Sequence, residues 1–225
     1  MSRRDTRLRA VSVTTAAASQ MLSRRSGLLL DPDRCGYVIG IDFGEAHDRV
    51  VLADIHGCIC KPEGGDFNSA DYERRHPPGR DSKPPPEHFR WAGERIEDLL
   101  ARAEVDAKEI WAVGVSLPGP VNKRTKRLQV VPENLDPSWN VIDIELPAKL
   151  RLPKPTVESD YNASALTEHL WGSLRDQRDA LYVKVGQRCG CSLLINHRIY
   201  RGATGVAGRL GKTFAPSYAK DADKP

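Results

Sequence analysis

No apolar run in this 225-residue chain approaches the roughly 20 residues that a membrane-spanning helix needs, so no membrane role is expected. A good secretory core is lacking too. The stretch AVSVTTAAAS after Arg3-Arg4 is weakly apolar and rich in Ser and Thr, which points to the cytoplasm. Cysteines number five, an odd count with no good export signal, so a disulfide framework is not expected. Room for a winged helix is missing as well. Residues 1–36 form a basic, poorly ordered leader in which TTAAASQML offers a short helix over 16–22. A DNA-binding winged helix needs several helices and a hairpin, so the sequence does not equip this chain to bind DNA alone. No tandem repeat is visible.

What is present suits a soluble α/β protein of one or two domains, with 40% hydrophobic and 28% charged residues. The net charge of +4 is front-loaded, with Arg3, Arg4, Arg7, Arg9, Arg24 and Arg25 in the leader. That gives a weak attraction to polyanions without demanding one. Cys58/Cys60 and Cys189/Cys191 are spaced so that each pair shares one face of a strand. The thiols read as small buried hydrophobes or, less specifically, as zinc ligands.

YVIGID (37–42) and DRVVLADI (48–55) are β-branched runs flanking turn residues, which predicts two adjacent antiparallel strands. Residues 61–86 are proline-rich and poor in apolar side chains, and read as a long mobile loop. Residues 87–105 carry Phe89, Ile96, Leu99 and Leu100 at helical spacing. IWAVGVS (110–116) reads as a buried strand, and LPGPV leaves its carboxyl end, where ligands of open α/β sheets collect. Residues 123–139 read as a polar loop. TVES is a short strand leading into Asp160, with a helix over 162–172. ALYVKVG (180–186) and GCSLLIN (190–196) form another strand pair, followed by a turn at His197-Arg198.

Six segments in order carry a family resemblance: DPDRCGYVIGIDFGEAHDRVVLADIHG (31–57), VGVSLPGPVN (113–122), PENLDPSW (132–139), TVESDYNASALTEHLWG (156–172), ALYVKVG (180–186) and INHRIYRGATGVAGRLGKT (195–213). Together they resemble the ROK family, which groups sugar kinases with sugar-responsive repressors of the NagC/XylR type. The resemblance implies an actin/hexokinase-like ATPase fold with two ribonuclease-H-like α/β lobes. The first lobe would span 37–158, the start of the second 159–213, and a polar tail 214–225. A family zinc loop, a further sugar-binding glutamate, adenosine-holding helices and a winged helix are not in the sequence. The second lobe is therefore expected to be incomplete, open to completion by a partner chain or a second copy.

The family pattern implies roles for particular residues. Asp42 and Gly44 open the first phosphate turn and, with Gly186 and Gly190 of the second phosphate loop, would face phosphate and Mg²⁺. Both loops depart from the pattern: Glu45 and Ala46 stand for Gly and Thr, and Gln187, Arg188 and Ser192 replace further loop residues. Glycine is needed where backbone must approach phosphate oxygens, and Glu45 brings a like charge. Asp42 and Gly44 also read simply as turn formers. Asp160 falls at the position of the kinase base, or else caps the following helix. Asn134, Ser159, Asp160, Arg209 and Lys212 fall at sugar-binding positions, and Trp139 at the sugar-bordering wall. Arg209 and Lys212 replace an acceptor Glu and a His, reversing the charge. The resemblance thus implies a sugar-sensing regulator domain without a cofactor. The alternatives are a Mg-ATP-dependent sugar kinase and a partner-binding remnant.

Overall fold

The computed structural model describes residues 36–44, 47–55, 57–60, 69–76, 85–125, 127–131, 135–140, 144–185 and 189–210. Its main sheet has five strands. These are β1 (Tyr37–Phe43), β2 (His47–Asp54), β3 (Glu73–Arg75), β4 (Ile110–Leu117) and β7 (Thr156–Ser159), in the order β3-β2-β1-β4-β7. β5 (Val121–Asn122) and β6 (Arg127–Leu128) pair as a small separate hairpin. β1 runs parallel to β4, and β4 parallel to β7, so the carboxyl ends of all three open on one edge.

Strand alternation sorts the two faces of this sheet. Ile39, Ile41 and Phe43 lie on one face with Val50, Leu52, Val113, Val115 and Leu117. Helix α1 (Pro85–Arg102) covers that face with Phe89, Ala92, Ile96, Leu99 and Leu100, a stripe with helical spacing. The paired prolines Pro85-Pro86 fit its first turn, where a missing N–H costs nothing. Trp139 is 2% exposed, with its ring 5.5 Å from Phe43 and 5.9 Å from Phe89. It packs in the core of the first lobe.

The second sheet has three strands, ordered β10 (Arg198–Tyr200), β9 (Cys189–Ile195), β8 (Ala180–Val185). Helix α2 (Asp160–Trp171) packs on one face, where Ala165, Leu194 and Ile199 form a second small core. The other face leaves Leu181, Val183, Val185 and Tyr200 exposed, Val185 at 79%. The β9–β10 turn is Asn196-His197, one residue earlier than expected. Both carry positive φ, 53° and 59°, the geometry of a two-residue hairpin whose twist matches its strands.

Three further expectations change. Within 61–86, residues 69–72 form a 3₁₀ turn and 73–75 form β3, the outer strand, while α1 already starts at Pro85. Within 123–139, β6 and a 3₁₀ turn at Pro137–Asn140 interrupt the loop. The thiols also divide: Cys191 is buried, while Cys58 and Cys189 are exposed. Among the described residues, no thiol joins a group of three metal-ligating side chains. The leader helix 16–22 lies outside the described residues. No helix among the described residues is long and apolar enough to cross a membrane.

Candidate functional site

The carboxyl ends of β1, β4 and β7 place Asp42, Ser116 and Glu158 in one row, since Asp42 pairs with Ser116 and Ser116 with Glu158. By alternation this row lies on the face opposite α1. Asp160 follows two residues after Glu158, as the first residue of α2. The four side chains therefore gather where ligands of parallel sheets collect.

Asp42 leads into a tight turn in which the Gly44 amide donates to the His47 carbonyl at 2.9 Å. A Cβ on Gly44 would lie 2.7 Å from that same oxygen, so the close approach itself requires glycine. The His47 Nε2 lies 4.0 Å from the Asp42 carboxylate. Gly44 thus makes the turn contact, whereas Asp42 lies within β1, paired with Arg49 and Ser116.

Asp160 is not the helix cap. Ser159 is, its Oγ accepting from the Asn162 amide at 3.3 Å. That leaves the Asp160 carboxylate to meet Lys184 of the second sheet. Lys184 of β8 donates to its Oδ2 at 3.2 Å, while Oδ1 is buried and meets no donor with hydrogen-bond geometry. Burial pushes the carboxyl above its ordinary range; Lys184 and the Tyr161 backbone amide oppose this and Asp42 adds to it. The Lys184 ammonium also sits 5.5 Å from the centre of the Tyr161 ring.

Glu158 has the opposite environment. It is 2% exposed, yet its carboxylate accepts from Arg201 Nη2 at 2.6 Å and Nε at 3.0 Å, and from the Asn162 amide side chain at 2.9 Å. Lys123 adds an ion pair at 2.9 Å. Burial works against the charge, but Lys123 and Arg201 overcome it and hold the carboxyl below its usual range. This cluster joins β7, the β5–β6 turn and the segment after β10.

Gly190 lies against the Tyr161 ring, and a Cβ there would come within 2.5 Å of it. Ser192 is fully buried and its hydroxyl bonds to the Asn162 side chain. Arg209 is half-buried in a segment docked on β9, where the Gly208 carbonyl accepts from the Cys191 amide at 2.8 Å. Asn134, Gly186 and Lys212 lie outside the described residues. The structure therefore brings together Asp42, Asp160, Ser159 and Gly190 around β7 and α2.

Sequence reasoning passed over Lys184, Tyr161, Lys123 and Arg201. A signal existed for Lys184, since a lysine in the run ALYVKV breaks an otherwise apolar strand. A cavity of about 1000 Å³ lies elsewhere, between the start of α1 and residues 144–155, lined by prolines, Phe89 and Leu146. It includes none of the cleft residues.

A second cluster lies on the α1 face. Asp48 occupies the core column of β2 that also holds Val50 and Leu52, and it is fully buried. Its Oδ2 lies 2.7 Å from His88 Nδ1 and 2.5 Å from Arg74 Nη2; its Oδ1 lies 3.1 Å from His76 Nε2. Burial works against this charge, but bonds from His76 and His88 hold the carboxyl down at about 2. These residues lie far apart in sequence, and no spacing announces them.

Comparisons with known proteins agree with this architecture. Residues 38–222 match the ROK family. Over 84% of the chain, the sequence is 26% identical to a xylose repressor of Caldicellulosiruptor bescii, of which it spans 44%. Over 52% of the chain it is 31% identical to a glucokinase of Streptomyces coelicolor, of which it spans 38%. The chain thus spans less than half the length of these curated relatives. Among solved structures, the ROK hexokinase of Thermus thermophilus superposes with a TM-score of 0.58 at 23% identity, covering 80% of this chain and 54% of the hexokinase. The fold is accordingly actin/hexokinase-like, with only part of the second lobe covered. The chain belongs to the ROK family.

Proposed function

We propose that this chain is the sugar-sensing domain of a ROK-type regulator and does not transfer phosphate. The observation that carries this reading is the buried Asp160 Oδ1, which no donor meets in hydrogen-bond geometry, at the ends of the parallel strands. A buried carboxylate oxygen without a partner is costly, and a ligand hydroxyl would satisfy it. Ser159, which caps the same helix, and Arg209, in the segment docked on β9, stand at family sugar positions, and Asn134 and Lys212 complete that set in sequence. The repressor similarity over 84% of the chain supports the regulatory branch.

Mg-ATP fits the described half of the phosphate hairpin poorly. The Tyr161 ring covers Gly190, and the Ser192 hydroxyl turns inward to Asn162. Lys184 already neutralises one side of Asp160. In sequence, Glu45 and Arg188 replace glycines of the two family phosphate loops.

A second reading, a sugar kinase, is favoured by one observation. Asp160 keeps a free oxygen and a raised carboxyl pKa, both suited to a general base. Asp160 would then take the proton of the attacking sugar hydroxyl, with Asp42 near the metal.

Thermal melting with a panel of hexoses, pentoses and amino-sugars, each with and without Mg-ATP, separates the readings. One sugar is expected to raise Tm with no further effect of ATP, and Asp160→Asn to abolish that rise. ATP turnover with any sugar would overturn the sensor reading. So would a panel in which no sugar shifts Tm.

A further inference from the structure

We propose that Asp48, His76 and His88 form a site for one borderline divalent transition ion of the zinc type, which Arg74 occupies in the ion's absence. The three side chains come from β2, the end of β3 and α1, and their ligand atoms all lie within 4.8 Å of one another. In a zinc site with bonds of about 2.0–2.2 Å, neighbouring ligand atoms lie about 3.3 Å apart. The two imidazoles already approach the Asp48 carboxylate from its two sides, His76 Nε2 at 3.1 Å from Oδ1 and His88 Nδ1 at 2.7 Å from Oδ2. Two imidazoles and a carboxylate select transition ions over Mg²⁺ and Ca²⁺.

The surroundings resemble a metal pocket more than a hydrophobic core. Asp48 stands where β2 alternation calls for an apolar side chain, beside Val50 and Leu52. The rings of Phe43 and Trp139 lie 5.9 Å and 5.0 Å from that of His88, an apolar shell that limits water. His76 is 4% exposed by its side chain and His88 1%.

Arg74 is the competing cation. Its Nη2 lies 2.5 Å from Asp48 Oδ2 and 3.0 Å from His88 Nδ1. His88 Nδ1 can donate to Asp48 or accept from Arg74, but one nitrogen cannot do both. A metal ion resolves that conflict by taking the lone pairs of Nδ1 and the carboxylate, with any Nδ1 proton released to solvent. Arg74 has a place to go. Its guanidinium carbon already lies 5.0 Å above the Trp91 ring, and its side chain is 22% exposed. Leaving the cluster also avoids burying two cations together.

The site lies at the root of the Gly44–His47 turn, because Asp48 pairs with Phe43 across β1 and β2. An ion there would tie β2, β3 and α1 behind the turn. It is a different place from the Asp42/Asp160 cleft, which lies on the other face of the sheet.

The test uses the untagged chain, equilibrium dialysis and the visible spectrum of bound Co²⁺. One ion per chain is expected, with Zn²⁺ displacing Co²⁺ and no thiolate charge-transfer band. His76→Ala and His88→Gln are each expected to weaken binding more than about tenfold, a difference above about 1.4 kcal/mol. Arg74→Gln is expected to tighten it by about tenfold, since the competitor is gone. A purely internal ion cluster gives the reverse: Arg74→Gln would bind no ion and would unfold more easily, leaving Asp48 uncompensated. That result overturns the proposal, even where a histidine variant fails to fold. A bound ion with a thiolate band, lost in Cys58→Ser or Cys189→Ser, also overturns it.

Discussion

Glu158 and Asp160 stand two residues apart, at the end of β7 and the start of α2, and the fold treats them in opposite ways. Glu158 is enclosed by Arg201, Lys123 and Asn162, and its carboxyl pKa is lowered. Asp160 has Lys184 and the neighbouring Tyr161 backbone amide, its Oδ1 meets no donor in hydrogen-bond geometry, and its pKa is raised. The first carboxylate is a structural hub that holds the second sheet to the first. The second keeps unsatisfied bonding capacity, which is what a binding site requires.

Breaking the hub should produce the largest effect. Glu158→Ala leaves Arg201 and Lys123 facing a buried hole, and should lower stability by about 3–5 kcal/mol in urea unfolding. Gly190→Ala should cost about 1–3 kcal/mol by forcing Tyr161 away from β9. Adding Tyr161→Ala should recover most of that loss, and full additivity of the two changes would refute the contact.

The pH dependence sharpens the comparison. Glu158, with its pKa lowered by folding, contributes stability that is present above about pH 4.3 and is lost as pH falls through its folded value. Glu158→Gln should therefore flatten the acid limb of a melting curve. Asp160 works with the opposite sign. Its raised pKa weakens the fold as pH climbs above about 3.9 and through the folded value. Asp160→Asn should melt at least as high as the parent at neutral pH, with a gain of about 1 kcal/mol. A clear loss of stability would mean that Oδ1 is already satisfied. The smallest effect is expected at the cap: Ser159→Ala should cost about 1 kcal/mol, and it should leave the acid limb unchanged.

Much of the first lobe was legible because its signals are local. Tyr37–Phe43, Ile110–Leu117 and the α1 stripe follow from periodicity and turn residues, which act within a few positions. The short strand β3 was not legible. Its residues Glu73–Arg75 are all charged, and only pairing with β2 makes them a strand. Trp139 read as a cleft wall because sequence gives its neighbours in the chain, whereas packing gives it Phe43 and Phe89. The cleft was half legible. Asp42, Ser159 and Asp160 sit in recognisable segments, but Lys184 reaches Asp160 from a strand 24 residues on.

The sequence by itself determined the family, the order of the elements and which residues of the phosphate turns depart from the pattern. Each of these is written in contiguous stretches. Only the tertiary structure decided the roles of the acidic groups. Whether Asp48, Glu158 or Asp160 is neutralised or enclosed depends mostly on residues far along the chain, such as Lys184, 24 positions from Asp160, and Arg201, 43 from Glu158. Charge is settled by distances of a few ångströms in space, where desolvation and pairing compete, and the folded chain alone fixes those distances.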